Sequence, residues 1–165
     1  MPIDSDDELL PDALEQFAAM WATIPGPAQS QCCGVVGLCI DSVGNVIGDI
    51  FPADTMDTDS VSLWFDFGVS EEKFSCLRTE VLREFPFPEH NPKLVPENVV
   101  WFRMAKQYRI RCFNIPVRIY HQDVVSLCRR QDPLRARRER AAGSVLAYSE
   151  ALGHVNWHRS GLRCT

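Results

Sequence analysis

Apolar positions fall at helical spacing after Pro11, where Leu14, Phe17, Ala18, Trp21 and Ile24 predict a first helix. Pro11 suits the first turn, and Pro25-Gly26-Pro27 breaks the pattern. The apolar run "CGVVGLCI" (33–40) has strand length, residues 41–45 are turn formers, and "VIGDIF" (46–51) completes a predicted hairpin. "PADTMDTDS" (52–60) reads as a loop. "EKFSCL" (72–77) predicts a strand, followed by a short helix over "TEVLREF" (79–85) that Pro86 and Pro88 end.

Residues 96–108 place Val100, Trp101, Met104, Ala105 and Tyr108 on one helical stripe, with Pro96 at the first position and Glu97 in the first turn. "RIRCFN" (109–114) and "VRIYH" (117–121) read as two strands separated at Ile115-Pro116. A last helix over 133–152 carries Ala142, Val145, Ser149 and Leu152 on one side and Arg135, Arg137, Arg138 and Arg140 near its start. The order predicts a mixed α/β fold, without the regular β-α-β alternation of a complete doubly wound domain.

At 165 residues and 45% hydrophobic, the chain is long enough for one compact domain. No run approaches the length of a membrane span, and the acidic start lacks the pattern of a signal peptide, so a cytoplasmic protein is expected. Seven cysteines without a C-x-x-C pair specify neither a disulfide framework nor a zinc site, and read as buried free thiols. Charge is divided sharply. Residues 1–72 hold 14 acids and no lysine or arginine, whereas residues 73–165 hold 17 bases and 8 acids. Such halves either attract each other across the fold or pair a cation-holding part with an anion-attracting one.

The densest acidic stretch is "DSDDEL" (4–9). Its carboxylates fit either solvated residues at the N-terminal end of the first helix or ligands of a divalent cation. With 12 aspartates in the chain, an Asp-X-Asp pattern is expected about once by chance. It does recur, at Asp57-Thr58-Asp59, where a solvated turn is the simpler reading. His154 and His158, four apart, suit one helix face but lack a third ligand.

Residues 73–123 resemble the C-terminal half of family 2 glycosyltransferases of the GT-A fold. The likeness rests on R-T-E-V-L (Arg78 to Leu82), the Phe-Pro loop (Phe85 to Glu89), Glu97 opening a helix toward Trp101 and Arg103, and Asn114 with Arg118, Ile119 and Tyr120. It extends weakly to the N-terminus. The resemblance implies an inverting transfer of a sugar from a nucleotide-sugar donor to a glycan or lipid-linked acceptor. It assigns "DSDD" to the family's Asp-X-Asp motif, so that Asp6, with Asp4 and Asp7, would hold Mg²⁺ or Mn²⁺ at the donor diphosphate. Hard oxygen ligands and a divalent cation suit a leaving group that gathers negative charge.

Glu97 falls at the family's general base, although Pro96 stands where an acid usually precedes it. Lys73 and His121 would assist at donor or acceptor. The implied architecture is a partial GT-A-like mixed sheet with flanking helices. Residues 1–128 would form the acceptor and metal half, and 129–165 a basic helix and tail whose arginines, Arg129 and Arg130 among them, could meet a membrane surface. The nucleotide-binding β-α-β unit that precedes Asp-X-Asp in such enzymes is not in this sequence, so a fragment is expected, partnered by that missing half. Nothing points to nucleic acid. The alternative is a catalytically degenerate remnant that serves as a binding module.

Overall fold

The computed structural model describes residues 3–88, 95–121 and 133–153. Cys128, Cys164, Arg129, Arg130, His154, His158 and Glu89 lie outside them. Among the described residues the elements run in the order β1 (Glu8–Leu9), α1 (Ala13–Ala22), α2 (Gly26–Gln29), β2 (Cys32–Ile40), β3 (Thr55–Thr58), α3 (Ser60–Phe65), β4 (Lys73–Leu77), α4 (Thr79–Glu84), α5 (Asn98–Met104), β5 (Arg109–Ile119) and α6 (Pro133–Leu152). The fold is α/β, an open mixed sheet of five strands with flanking helices. β5 and β2 are parallel neighbours at its centre, and β4 runs antiparallel beside β2. Along its other edge β5 pairs first with β3 and then with β1, both antiparallel.

β2 is buried on both faces, which is why its sequence is continuously apolar rather than alternating. Cys32, Val35 and Cys39 meet Phe17 of α1, Phe74, Phe113 and Val117 on one face. Cys33, Val36 and Leu38 meet Val81, Val100 and Met104 on the other. Burial of each large apolar side chain contributes about 1.5–3 kcal/mol. The five described cysteines are free, four of them buried. Burial lifts the Cys33 thiol to about 12 and the Cys39 thiol to about 11. No helix among the described residues is long and apolar enough to cross a membrane.

Several expectations are corrected. The hairpin stops at its turn. Asp41 caps the backbone N–H groups of Val43 and Asn45, but a single bridge, Ile40 to Val46, follows. Gly48, at φ +69°, then turns the chain out of the extended path. Phe51 is held instead by the Asn114 side chain, which accepts from Phe51 N at 2.8 Å and donates to its carbonyl at 3.0 Å.

The expected loop over 52–60 contains β3 and the cap of α3. Asp59 is buried there, its Oδ1 accepting from Val61 N and Ser62 N at 3.0 and 2.9 Å. The break at 25–27 includes the one-turn helix α2. β5 runs unbroken through Pro116, which falls where the outer neighbour of β5 changes from β3 to β1 and where its register with β2 shifts.

Three helices also bury faces that differ from the expected ones. α1 buries Ala13 and Phe17, with Ile24 just beyond its end, while Leu14 is 62% exposed. α5 stops at Met104 and buries Val99 and Phe102 besides the predicted Val100 and Met104, because the sheet lies on one side and α6 on the other. α6 presents Ala147 and Ala151 to that contact and leaves Val145 70% exposed. Glu150 of α6 binds Arg103 at 2.8 Å and Lys106 at 2.7 Å.

Gly34 is a point of closest approach between strands. A Cβ there would meet Cys76 O and the Leu77 backbone. Gly34→Ala is expected to destabilise the protein by about 1–3 kcal/mol, whereas Gly26→Ala, with nothing within 4 Å, leaves it unchanged; urea midpoints of the two variants measure the difference.

Candidate functional site

At the end of β5, Arg118 is drawn inward and becomes a hub for three chain segments. Its side chain is 7% exposed, with Phe74 and Tyr120 rings 4.8 and 5.0 Å from the guanidinium carbon. Nη2 donates to Glu72 Oε2 at 2.8 Å, and Nη1 lies 3.3 Å from Asp7 Oδ2. The second contact is ionic without hydrogen-bond geometry, so Asp7 Oδ2 stays without a hydrogen-bond partner, and the buried Arg118 Nε has none either.

The acidic N-terminal stretch is folded around this hub. Asp7 N donates to Asp4 O at 3.2 Å, closing a tight turn with Ser5 and Asp6 exposed at its bend. The turn sends Asp7 inward, its side chain 1% exposed, where Oδ1 accepts from His121 N at 3.3 Å. β1 follows, pairing Glu8 with Ile119 and Leu9 with Arg118. His121 Nε2 lies 2.9 Å from Glu8 Oε1.

Glu97 stands at the entrance to α5 and makes no side-chain cap bond there. Part of it reaches water, but surrounding protein atoms crowd its carboxyl and raise its pKa. The negative charges of Glu72 and Asp4 add to the rise, while Arg118 and a hydrogen bond with the Trp101 side chain oppose it. Residues 4, 72, 97 and 118 are thus electrostatic neighbours, although the sequence separates them widely. Tyr120 feels the same set: burial raises its pKa first, then Glu72 and Asp7.

Glu97 also borders a cavity of about 730 Å³ between β2 and β4 on one side and α3 and α5 on the other. Glu71, Glu72 and Lys73 line it as well. Lys73 Nζ donates to Glu72 O at 3.1 Å and lies 6.0 Å from the centre of the Phe51 ring. Burial is the main cause of its lowered pKa.

Of the residues singled out in the sequence, Asp4, Asp7, Lys73, Glu97 and His121 therefore gather around Arg118 and its partners, and Asp6 is exposed at the bend. The aspartates do not form a ready cation cradle. Asp7 is taken up by Arg118, and among the described residues no group of three or more His, Cys, Asp or Glu side chains is placed to hold a metal ion. The Asp57-Thr58-Asp59 pattern is structural: Asp57 takes two 2.7 Å bonds from Arg111, and Asp59 caps α3. Arg78 and Asn114 also serve the scaffold. Arg78 donates to the carbonyls of Gln29, Ser30 and Cys32, tying α4 to the start of β2.

Sequence reasoning missed Glu72 as a member of the site. Its only signal was its place before Lys73 at the start of a strand.

No protein-family model matches this chain, and neither a curated protein nor a solved structure matches it.

Removing the guanidinium would strand a buried carboxylate. Arg118→Met is expected to cost about 3–5 kcal/mol, partly recovered by adding Asp7→Asn, as read from urea unfolding. Glu97 should behave in the opposite sense. Its folded pKa is raised, so its ionised form weakens the fold at pH values above that pKa, and the penalty vanishes below the unfolded value. Glu97→Gln is expected to raise the melting temperature near neutral pH, with the gain shrinking to nothing as the pH falls to the ordinary glutamate value; a pH series of thermal melts checks this.

Proposed function

We propose that this chain supplies the acceptor-side part of an inverting nucleotide-sugar glycosyltransferase site, a partial GT-A arrangement with Glu97 as general base. The observation that supports this reading best is the setting of Glu97. It stands at the mouth of a large cavity, its pKa raised toward the range useful for proton abstraction, beside the hub that gathers Asp4, Asp7 and Glu72. The resemblance named the same residue for the same task on independent grounds.

In this reading an acceptor hydroxyl enters beside Glu97 and gives up its proton to the carboxylate as its oxygen bonds to the sugar. The donor's bond to its diphosphate breaks in the same displacement. Crowding makes the Glu97 carboxylate a stronger base than one in water, since protonation removes a charge that its surroundings disfavour. Arg118 holds Glu72 and Asp7, fixing the acidic wall, and Lys73 supplies a cation on that wall. Mg²⁺ or Mn²⁺ belongs to this reading together with the donor, since among the described residues Asp4, Asp6 and Asp7 do not by themselves form a cation cradle. Asp4, whose charge contributes to the raised pKa of Glu97, is the better placed of Asp4 and Asp6 to meet such a complex.

The test is a titration of Mn²⁺ with and without a uridine diphosphate sugar. Metal binding strengthened by the donor supports the reading; no metal-dependent binding, even with a nucleotide-binding segment supplied in trans, sinks it. In the completed enzyme, Glu97→Gln is expected to lower turnover by about 10²–10⁴-fold with donor binding preserved, and unchanged turnover removes Glu97 from its role.

A further inference from the structure

The cavity beside Glu97 is built from two unlike parts. Val36, Leu63, Trp64, Trp101 and Met104 contribute to an apolar body, while Glu71, Glu72, Lys73 and Glu97 contribute charge. Its volume of about 730 Å³ falls in the range of roughly 300–1,000 Å³ that takes drug-sized ligands, more than a single sugar ring needs. An apolar body of this size gains little from a fully hydroxylated ligand, whose polar groups would lose water without finding partners.

The charged part limits the ligand further. Three carboxylates face one ammonium, and the nearby guanidinium of Arg118 is already held by Glu72 and Asp7. An anionic head such as a phosphate is disfavoured there, whereas a neutral hydroxylated head is not. Asn98 adds an amide-bearing residue to this end of the cavity, next to Glu97. Hydroxyl groups can donate to the carboxylates that line this end.

We infer that the cavity binds a neutral amphipathic molecule, a hydroxylated head group at the carboxylates around Glu97 joined to an aliphatic chain that lies along Leu63, Trp64, Trp101 and Met104. The inference rests on the transfer reading only in naming this molecule as the acceptor. Binding itself requires neither donor nor metal, so the two stand or fall separately.

Calorimetric titration of the full chain with three probes provides the test: n-octyl glucoside below its micelle-forming concentration, methyl glucoside, and octyl phosphate. Octyl glucoside is expected to bind saturably and at least about tenfold more tightly than methyl glucoside, since each buried methylene adds to affinity. It should likewise exceed octyl phosphate by about tenfold or more. Met104→Trp, which fills the cavity, and Leu63→Gln, which changes a half-buried wall residue, should each weaken octyl glucoside by about tenfold. Both variants are checked by thermal melts, and a folded one suffices. Equal binding of the methyl and octyl glucosides overturns the inference, as does undiminished binding by a folded variant; octyl phosphate binding as tightly as octyl glucoside overturns the neutral head. If octyl glucoside binds as expected while Glu97→Gln leaves transfer unchanged, the cavity assignment stands and the catalytic reading falls. Absent binding with Glu97-dependent transfer gives the converse.

Discussion

The Arg118 guanidinium sits where water hardly reaches it, and three separate lengths of chain must come to it. Asp7 arrives from the N-terminal turn, Glu72 from the approach to β4, and Tyr120 from the end of β5 itself. A buried cation is costly to desolvate, and partners on one side only would not offset that cost. Two carboxylates and two aromatic faces together do so. The same contacts fix the acidic turn and the floor of the site, so fold and chemistry share one anchor.

That anchor also resolves the charge asymmetry. Arg109 meets Asp59, Arg111 meets Asp57, and Arg118 meets Asp7 and Glu72, each pair joining a base of β5 to an acid from the first 72 residues. Attraction between the halves is therefore built into the sheet, strand by strand. It is compatible with a site beside it, because Glu97 and Lys73 remain outside those pairs. The mutual repulsion of Glu97, Glu72 and Asp4 is tolerated with Arg118 next to them.

Local signals made much of the scaffold legible. The continuous apolar run of β2, the Pro-terminated α4 and a helix after Pro96, shorter than expected, are each specified by their own residues. The failures share a cause in tertiary pairing. β3 is four residues long and exists because β5 offers it an edge. β5 keeps Pro116 because its neighbours change at that point, which no local pattern records. The second hairpin strand is lost to Gly48 and to the side chain of Asn114, 63 residues away from Phe51. Even so, the Asp59 cap ahead of Val61, Leu63 and Trp64 was a readable helix start hidden by its similarity to a metal motif. In the site, Asp7 and Glu97 were recognisable as chemistry, but that a buried arginine would occupy Asp7 could not be read without the sheet register.

The position of β5 in the sheet has a consequence for biosynthesis. Among the described residues it is the last strand, yet β1, β2 and β3 all take it as their hydrogen-bonding partner. Until residue 119 has left the ribosome, the apolar β2 lacks its parallel neighbour, and Asp7, Asp57, Asp59 and Glu72 lack their arginine partners. Those acids repel one another and keep the nascent segment expanded and dissolved. Closure of the sheet and the pairing of Asp7, Asp57, Asp59 and Glu72 with arginine then arrive with the same eleven residues, so the sheet can close only late in synthesis.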